Sequence, residues 1–143
     1  MPLSAPETHT GEHRGARTRR LAAAAWVLPV IVVGLASRFG GTGLAADLAG
    51  GVLYAVLVYV LLTVLRPRTA RWSNASIALV LCVLIELLQL TAIPADLARV
   101  FGPIRLVLGT GFAPLDLLAY AMGAALAPGI DMLLGRIRAR RAP

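Results

Sequence analysis

The chain has 143 residues, of which 58% are hydrophobic and 15% are charged, and its net charge is +7. A soluble globular domain is about 45–50% apolar, so this composition excludes an ordinary soluble domain and indicates a membrane protein. The basic residues are all arginines that flank apolar runs, which favours a role in membrane topology over nucleic-acid binding.

Four long apolar segments follow one another along the chain. They cover residues 21–37, 48–65, about 75–93 and about 113–135. A transmembrane helix needs about 20 such residues, and a segment in lipid must satisfy its own backbone hydrogen bonds. The sequence therefore predicts an all-α polytopic membrane protein, with four transmembrane helices forming one small bundle over residues 21–135.

Both ends of the chain are basic, and so is the loop between the second and third segments. Residues 1–20 lack periodicity, which predicts a disordered basic tail, and residues 136–143 form a second basic tail. Because arginine-rich segments stay on the inner side of a membrane, both tails are expected in the cytoplasm. A cleaved signal peptide within residues 1–37 is the alternative, but its apolar region would be longer than usual.

The third segment contains a carboxylate and an amide where lipid-facing residues are expected. Cys82, Glu86 and Gln89 have the spacing of one helix face. If the helix ends near Ile93, Glu86 lies about 10 Å from the outer boundary. A carboxylate facing hydrocarbon costs at least about 2.5–3.5 kcal/mol, so Glu86 should face the bundle interior.

The fourth segment has a small-residue series that is typical of close helix packing. Ala119, Gly123 and Ala127 recur every four residues. Asp116 adjoins the same face, so its side chain should also point into the bundle. Tyr54 lies in the outer half of the second segment.

Arginines in the two outer loops lie at the same end of the predicted bundle, and guanidinium groups bind phosphate and carboxylate through paired hydrogen bonds. We therefore predict a polar pocket at the extracytoplasmic side. The predicted ligand-binding residues are Arg38, Tyr54, Glu86, Gln89, Arg99, Arg105 and Asp116.

Three stretches together resemble a known family. They are "LYAVLVYVLLTVLRPR", "IELLQLTAIP" and "RLVLGTGFAPLDLLAYAMGAAL". The order is similar to the bacterial family called domain of unknown function 2809, and the polar skeleton is similar to VanZ-like membrane proteins. The resemblance implies a bacterial cell membrane. The VanZ-like similarity implies chemistry of envelope glycolipids or antibiotics.

Three functions fit these residues. The favoured one is non-enzymatic binding of an anionic envelope amphiphile. An enzyme acting on a lipid-linked substrate would use Glu86 and Asp116 as acid and base, although no nucleophile motif, cofactor or metal set supports it. A structural subunit would use the polar cluster to hold helices together. Membrane lipids are expected partners, and the small-residue face also allows a homo-oligomer.

Overall fold

The computed structural model describes residues 8–109 and 111–141, with side chains for 13–37, 39–109 and 111–140. Within these residues the chain is helical and contains no strand. The helices are α1 (Thr8–Gly40), α2 (Leu44–Leu65), α3 (Arg71–Leu88), α4 (Ile93–Val100), a short 3₁₀ helix (Gly102–Ile104), α5 (Arg105–Leu108) and α6 (Pro114–Arg141).

Four of these helices are long and apolar enough to cross a membrane. They are α1, α2, α3 and α6, in the order that the four apolar segments predict. The prediction of an all-α polytopic membrane protein with four spanning helices is therefore confirmed. The helices α4 and α5 lie in the connection between α3 and α6.

The first and last helices extend beyond the predicted spans. From Thr8 onward, the segment expected to be a disordered tail belongs to α1. A tertiary contact explains the difference, because Arg19 in this segment binds groups on α2, α6 and the α2–α3 loop. At the other terminus α6 continues to Arg141 and takes in the described part of the basic tail.

The third spanning helix ends earlier than the sequence suggested. It stops at Leu88 instead of near Ile93, and a tightened turn follows, in which the Thr91 amide donates to the Leu88 carbonyl. Pro94 gives the reason, since a proline ring clashes with the carbonyl of the residue four positions earlier in a continuous helix. Proline is tolerated in the first turn of α4. Glu86 therefore lies in the last turn of α3, closer to the end of the helix than the sequence suggested.

The second helix is the centre of the bundle, in contact with α1, α3 and α6. It approaches α6 closely, because a Cβ atom added at Gly123 would lie 2.5 Å from the Val52 carbonyl oxygen. Ala119 and Ala127 are buried on the same face of α6. The small-residue series is thus confirmed as a packed face, and tight helix contact takes the place of a core of large side chains.

Candidate functional site

Glu86 is the centre of a polar cluster at one end of the bundle, called here the Glu86 end. Its side chain is fully buried. One carboxylate oxygen accepts a hydrogen bond of 2.6 Å from the Ala113 amide, and the other accepts one of 3.2 Å from the Tyr120 hydroxyl. The prediction that Glu86 faces the bundle interior is therefore confirmed. Both of its oxygens are bound by neutral donors from the segment before α6 and from α6 itself.

Gln89 caps the end of α3 and reaches the same segment. Its side-chain amide donates a hydrogen bond of 2.6 Å to the Leu108 carbonyl. The next residue, Gly109, has a φ of +64°, and a Cβ there would lie 2.6 Å from the Gln89 amide nitrogen. Position 109 therefore favours glycine both for its backbone conformation and for the close approach of Gln89.

Tyr54 extends the cluster from α2. Its hydroxyl donates a hydrogen bond of 2.8 Å to the Val107 carbonyl. Its ring lies 6.0 Å from the Tyr120 ring with a tilt of 49°, within the range of favourable aromatic pairs.

Tyr54, Glu86 and Gln89 act in the same way, because each binds a backbone atom in the stretch before α6. We call these three side chains the clasp, and the described residues 107–109 and 111–113 the clasped segment. Side chains from α2 and α3 thus bind main-chain atoms of the clasped segment. These bonds fix the position of the segment and do not depend on the side chains of the segment.

Asp116 lies in the first turn of α6, at the same end of the bundle. It is partly buried, and one of its carboxylate oxygens would be 3.8 Å from a Cβ added at Gly51 of α2. The side chain therefore points into the bundle, as predicted, and faces α2. An acid in the first turn of a helix is also stabilised by the helix dipole.

The predicted arginines occupy a different environment from the clasp. Arg99 is 81% exposed and pairs with Asp96 on the same helix at 3.5 Å. Arg105 is exposed, and its side chain makes no hydrogen bond or ion pair with the described residues. The side chain of Arg38 lies outside the described part of the structure. The structure brings Tyr54, Glu86, Gln89 and Asp116 together, and it leaves Arg99 and Arg105 on the outside.

The connection that carries these arginines also exposes apolar side chains. Ile93, Leu97, Val100 and Phe101 are exposed, with Val100 at 90%. An open cavity of about 360 Å³ is lined by Asp96, Leu97, Val100 and Phe101. This part of the surface therefore combines apolar groups with arginines, as amphipathic helices at a membrane interface do.

A second polar network, which the sequence did not predict, lies at the opposite end of the bundle, called here the Asp131 end. One carboxylate oxygen of Asp131 accepts hydrogen bonds from Arg19, from Arg71 at 3.1 Å and from the Tyr59 hydroxyl at 2.9 Å. Arg19 also donates to the carbonyls of Pro67 and Thr69 at 2.9 and 2.8 Å. The network connects α1, α2, α3, α6 and the α2–α3 loop.

Asp131 and its partner Arg19 are 112 residues apart in the chain. The sequence offered one indication of this network, since Asp131 is an acid in the last span and lies close to an arginine-rich segment. Among the described residues, no group of three or more His, Cys, Asp or Glu side chains could hold a metal ion.

A known family matches the central part of the chain. The family model described as "Protein of unknown function (DUF2809)" matches residues 41–124, more than half of the chain. The chain belongs to this family. The DUF2809 match includes the whole clasp, the clasped segment and Asp116, whereas Arg19 and Asp131 lie outside it. The chain matches no curated protein and no solved structure.

Proposed function

We propose that this DUF2809 protein binds the head group of an anionic amphiphile at the extracytoplasmic face of a bacterial cell membrane. The binding surface would be the connection between α3 and α6, which the clasp holds in place. The observation that carries the proposal is the bonding of three side chains of the bundle to the main chain of the clasped segment, in a connection that also contains two exposed arginines.

The clasp is suited to positioning rather than to ligand contact. Glu86 is fully buried, and both of its oxygens are bonded to the protein. A ligand could reach them only by displacing the Ala113 amide or the Tyr120 hydroxyl. The arrangement therefore favours a supporting role for Glu86 over acid–base catalysis on a substrate.

The connection itself offers the groups that an anionic amphiphile requires. Arg99 and Arg105 are exposed, and a guanidinium binds phosphate or carboxylate through two parallel hydrogen bonds. The apolar cavity beside Leu97 and Phe101 would receive the start of an acyl chain. In this arrangement α4 lies at the membrane interface, with its apolar side chains toward the lipid.

The orientation rests on the distribution of arginine. The Asp131 end contains the α2–α3 loop and the ends of α1 and α6, where most of the arginines lie. By the positive-inside rule this end faces the cytoplasm, so the Glu86 end faces outward. Cysteine accessibility tests this placement. A cysteine introduced at Gly111 should react with an impermeant maleimide in intact cells, in a Cys82→Ala background, whereas one introduced at Arg138 should not.

Native mass spectrometry from nanodiscs of phosphatidylcholine and phosphatidylglycerol tests the binding itself. The wild-type protein should retain phosphatidylglycerol preferentially. The double variant Arg99→Ala/Arg105→Ala should lose part of this retained lipid without a change in melting temperature, since neither side chain is buried.

The matched control is Arg138→Ala/Arg140→Ala, which removes the same charge from the other end of the bundle and should leave the Glu86-end lipid bound. Equal lipid loss in both double variants, or no preference in the wild type, would reject the proposal.

A further inference from the structure

The ionic network at the Asp131 end carries more positive than negative charge. Asp131 provides one carboxylate, and Arg19 and Arg71 provide two guanidinium groups. Among the described side chains of this end Asp131 is the one acid. Two further arginines, Arg66 and Arg68, lie exposed in the adjoining loop. Among the described side chains, the network therefore has one more guanidinium group than carboxylates.

The two arginines of the network differ in how many donors they use. All three nitrogens of Arg19 donate, to Asp131, to the Tyr59 hydroxyl and to two loop carbonyls. Arg71 donates to Asp131 only through Nε, at 3.1 Å. Its terminal nitrogens bond to none of the described residues, and its side chain is 37% exposed. The unused donors of the network thus belong to Arg71. Its side chain is partly exposed, and its Nη2 atom would lie 3.6 Å from a Cβ added at Gly135 of α6.

The position of Arg71 along the membrane normal follows from its neighbours. It is the first residue of α3, a helix long enough to span a membrane. The next residue, Trp72, is 61% exposed, and exposed tryptophans at helix ends lie at the level of lipid head groups. The open side of Arg71 is therefore expected at the depth of lipid phosphates.

We propose that Arg71 binds the phosphate of an anionic phospholipid at the Asp131 end. Asp131 fixes the guanidinium through Nε, and the two terminal nitrogens form the planar fork that phosphate oxygens accept in pairs. The bound phosphate balances the excess positive charge of the described network. This site lies at the opposite end of the bundle from the surface assigned above, and it stands whether or not that surface binds a ligand.

Trp72 provides a local reporter of this site. The chain has two tryptophans, so Trp26→Phe leaves Trp72 as the single fluorophore beside Arg71. This parent variant is reconstituted into phosphatidylcholine vesicles that contain either brominated phosphatidylglycerol or brominated phosphatidylcholine at the same mole fraction. The bromines quench Trp72 when their lipid lies beside it. The anionic lipid should quench more strongly than the zwitterionic one.

Three variants in this background define the contribution of Arg71. Arg71→Ala should lower the relative affinity for phosphatidylglycerol roughly tenfold, the loss expected for a charge-assisted hydrogen bond. Arg71→Lys keeps the charge but lacks the planar pair of terminal nitrogens. Its relative affinity for phosphatidylglycerol should lie between that of the parent and that of Arg71→Ala. Arg20→Ala removes an exposed arginine of the same end and should keep the full preference. Since Asp131 retains Arg19 in both Arg71 variants, the bundle should stay folded, which circular dichroism checks.

Two results would overturn the assignment to a lipid. One is the absence of a specific preference for the anionic lipid. It would appear as equal quenching by both brominated lipids in the parent, or as an equal loss of the phosphatidylglycerol preference in Arg20→Ala and Arg71→Ala. The other is removal of the preference by added inorganic phosphate but not by chloride at the same ionic strength, since the ligand would then be free phosphate. A preference that depends on Arg71 and survives inorganic phosphate supports the lipid site.

Discussion

The two ends of the bundle each hold an acidic side chain, and they stabilise it in different ways. Glu86 is fully buried and is bonded to a backbone amide and a tyrosine hydroxyl. Asp131 is 16% exposed and is bonded to two arginines and a tyrosine. Neutral donors therefore hold the fully buried carboxylate, and charged donors hold the partly exposed one, where the desolvation cost of a guanidinium is lower.

The two acids also connect different parts of the molecule. Glu86, with Tyr54 and Gln89, holds the main chain of a connecting segment. Asp131 joins α6 to α1, α2 and α3 through side chains. We expect loss of the first set to release a segment locally, and loss of the second to weaken the contact between whole helices.

The largest difference in the free energy of unfolding between the two ends is expected when each acid is replaced by its amide. Asp131→Asn leaves two arginines without a counter-charge, and should lower the free energy of unfolding by about 3 kcal/mol, the lower end of the range for breaking a buried ion pair. Glu86→Gln keeps an acceptor for Ala113 and gives Tyr120 a donor, so its cost should be about 1 kcal/mol or less. Unfolding in mixed micelles measures both. Equal costs would show that the negative charge of Glu86 is needed in the folded state.

The contact between α2 and α6 joins the two ends, and Gly123 is its closest point. Gly123→Ala places a Cβ 2.5 Å from the Val52 carbonyl oxygen, so the helices must move apart at a cost of about 1–3 kcal/mol. Gly129→Ala is the matched control on the same helix, since nothing lies within 4 Å of its added Cβ. Thermal unfolding in detergent should show a lower midpoint for the first variant only. A similar midpoint for both would mean that the approach is not tight.

Two neighbouring glycines test the clasped segment itself. Gly109→Ala combines a positive φ and a ψ of −170°, a conformation adopted almost only by glycine, with a contact of 2.6 Å to Gln89, and should cost about 1–3 kcal/mol from the backbone conformation alone. Gly111→Ala meets open space and should be nearly neutral. Limited proteolysis should cleave the segment faster in the first variant. Equal cleavage of both variants would contradict the described contact with Gln89.

The smallest effect on stability is expected at Arg99. Its ion pair with Asp96 is 3.5 Å long and largely exposed, so Arg99→Ala should change the free energy of unfolding by less than about 0.5 kcal/mol. Asp96→Ala is the matching change on the other partner. A cost above 1 kcal/mol for either variant would show that the exposed arginines support the fold, which would remove the distinction between clasp and surface.

The spanning helices and the direction of Glu86 could be predicted, because each depends on residues that are close together in the sequence. Apolar runs located the four spans, and the cost of a carboxylate in lipid indicated that Glu86 faces inward. Pro94 carried the signal for the early end of α3, but the apolar run across it concealed that signal.

Contacts between distant parts of the chain could not be predicted in this way. The bond between Arg19 and Asp131 joins residues 112 positions apart, and no spacing rule connects them. Likewise, the bond from the Ala113 amide to Glu86 depends on how the α3–α6 connection returns to the bundle. The order of charged residues predicted acids and arginines at one end of the bundle, but whether the arginines turn inward depends on how the α3–α6 connection folds.

Hydrogen exchange at the Ala113 amide tests most directly whether Glu86 holds the connecting segment by its main chain. In the wild-type protein this amide donates to the Glu86 carboxylate at 2.6 Å and should exchange slowly. In Glu86→Leu it should exchange at least about tenfold faster, the loss of roughly one hydrogen bond, whereas Arg19→Ala at the opposite end should leave its rate unchanged. An Ala113 amide that exchanges equally fast in the wild type and in Glu86→Leu would contradict the account.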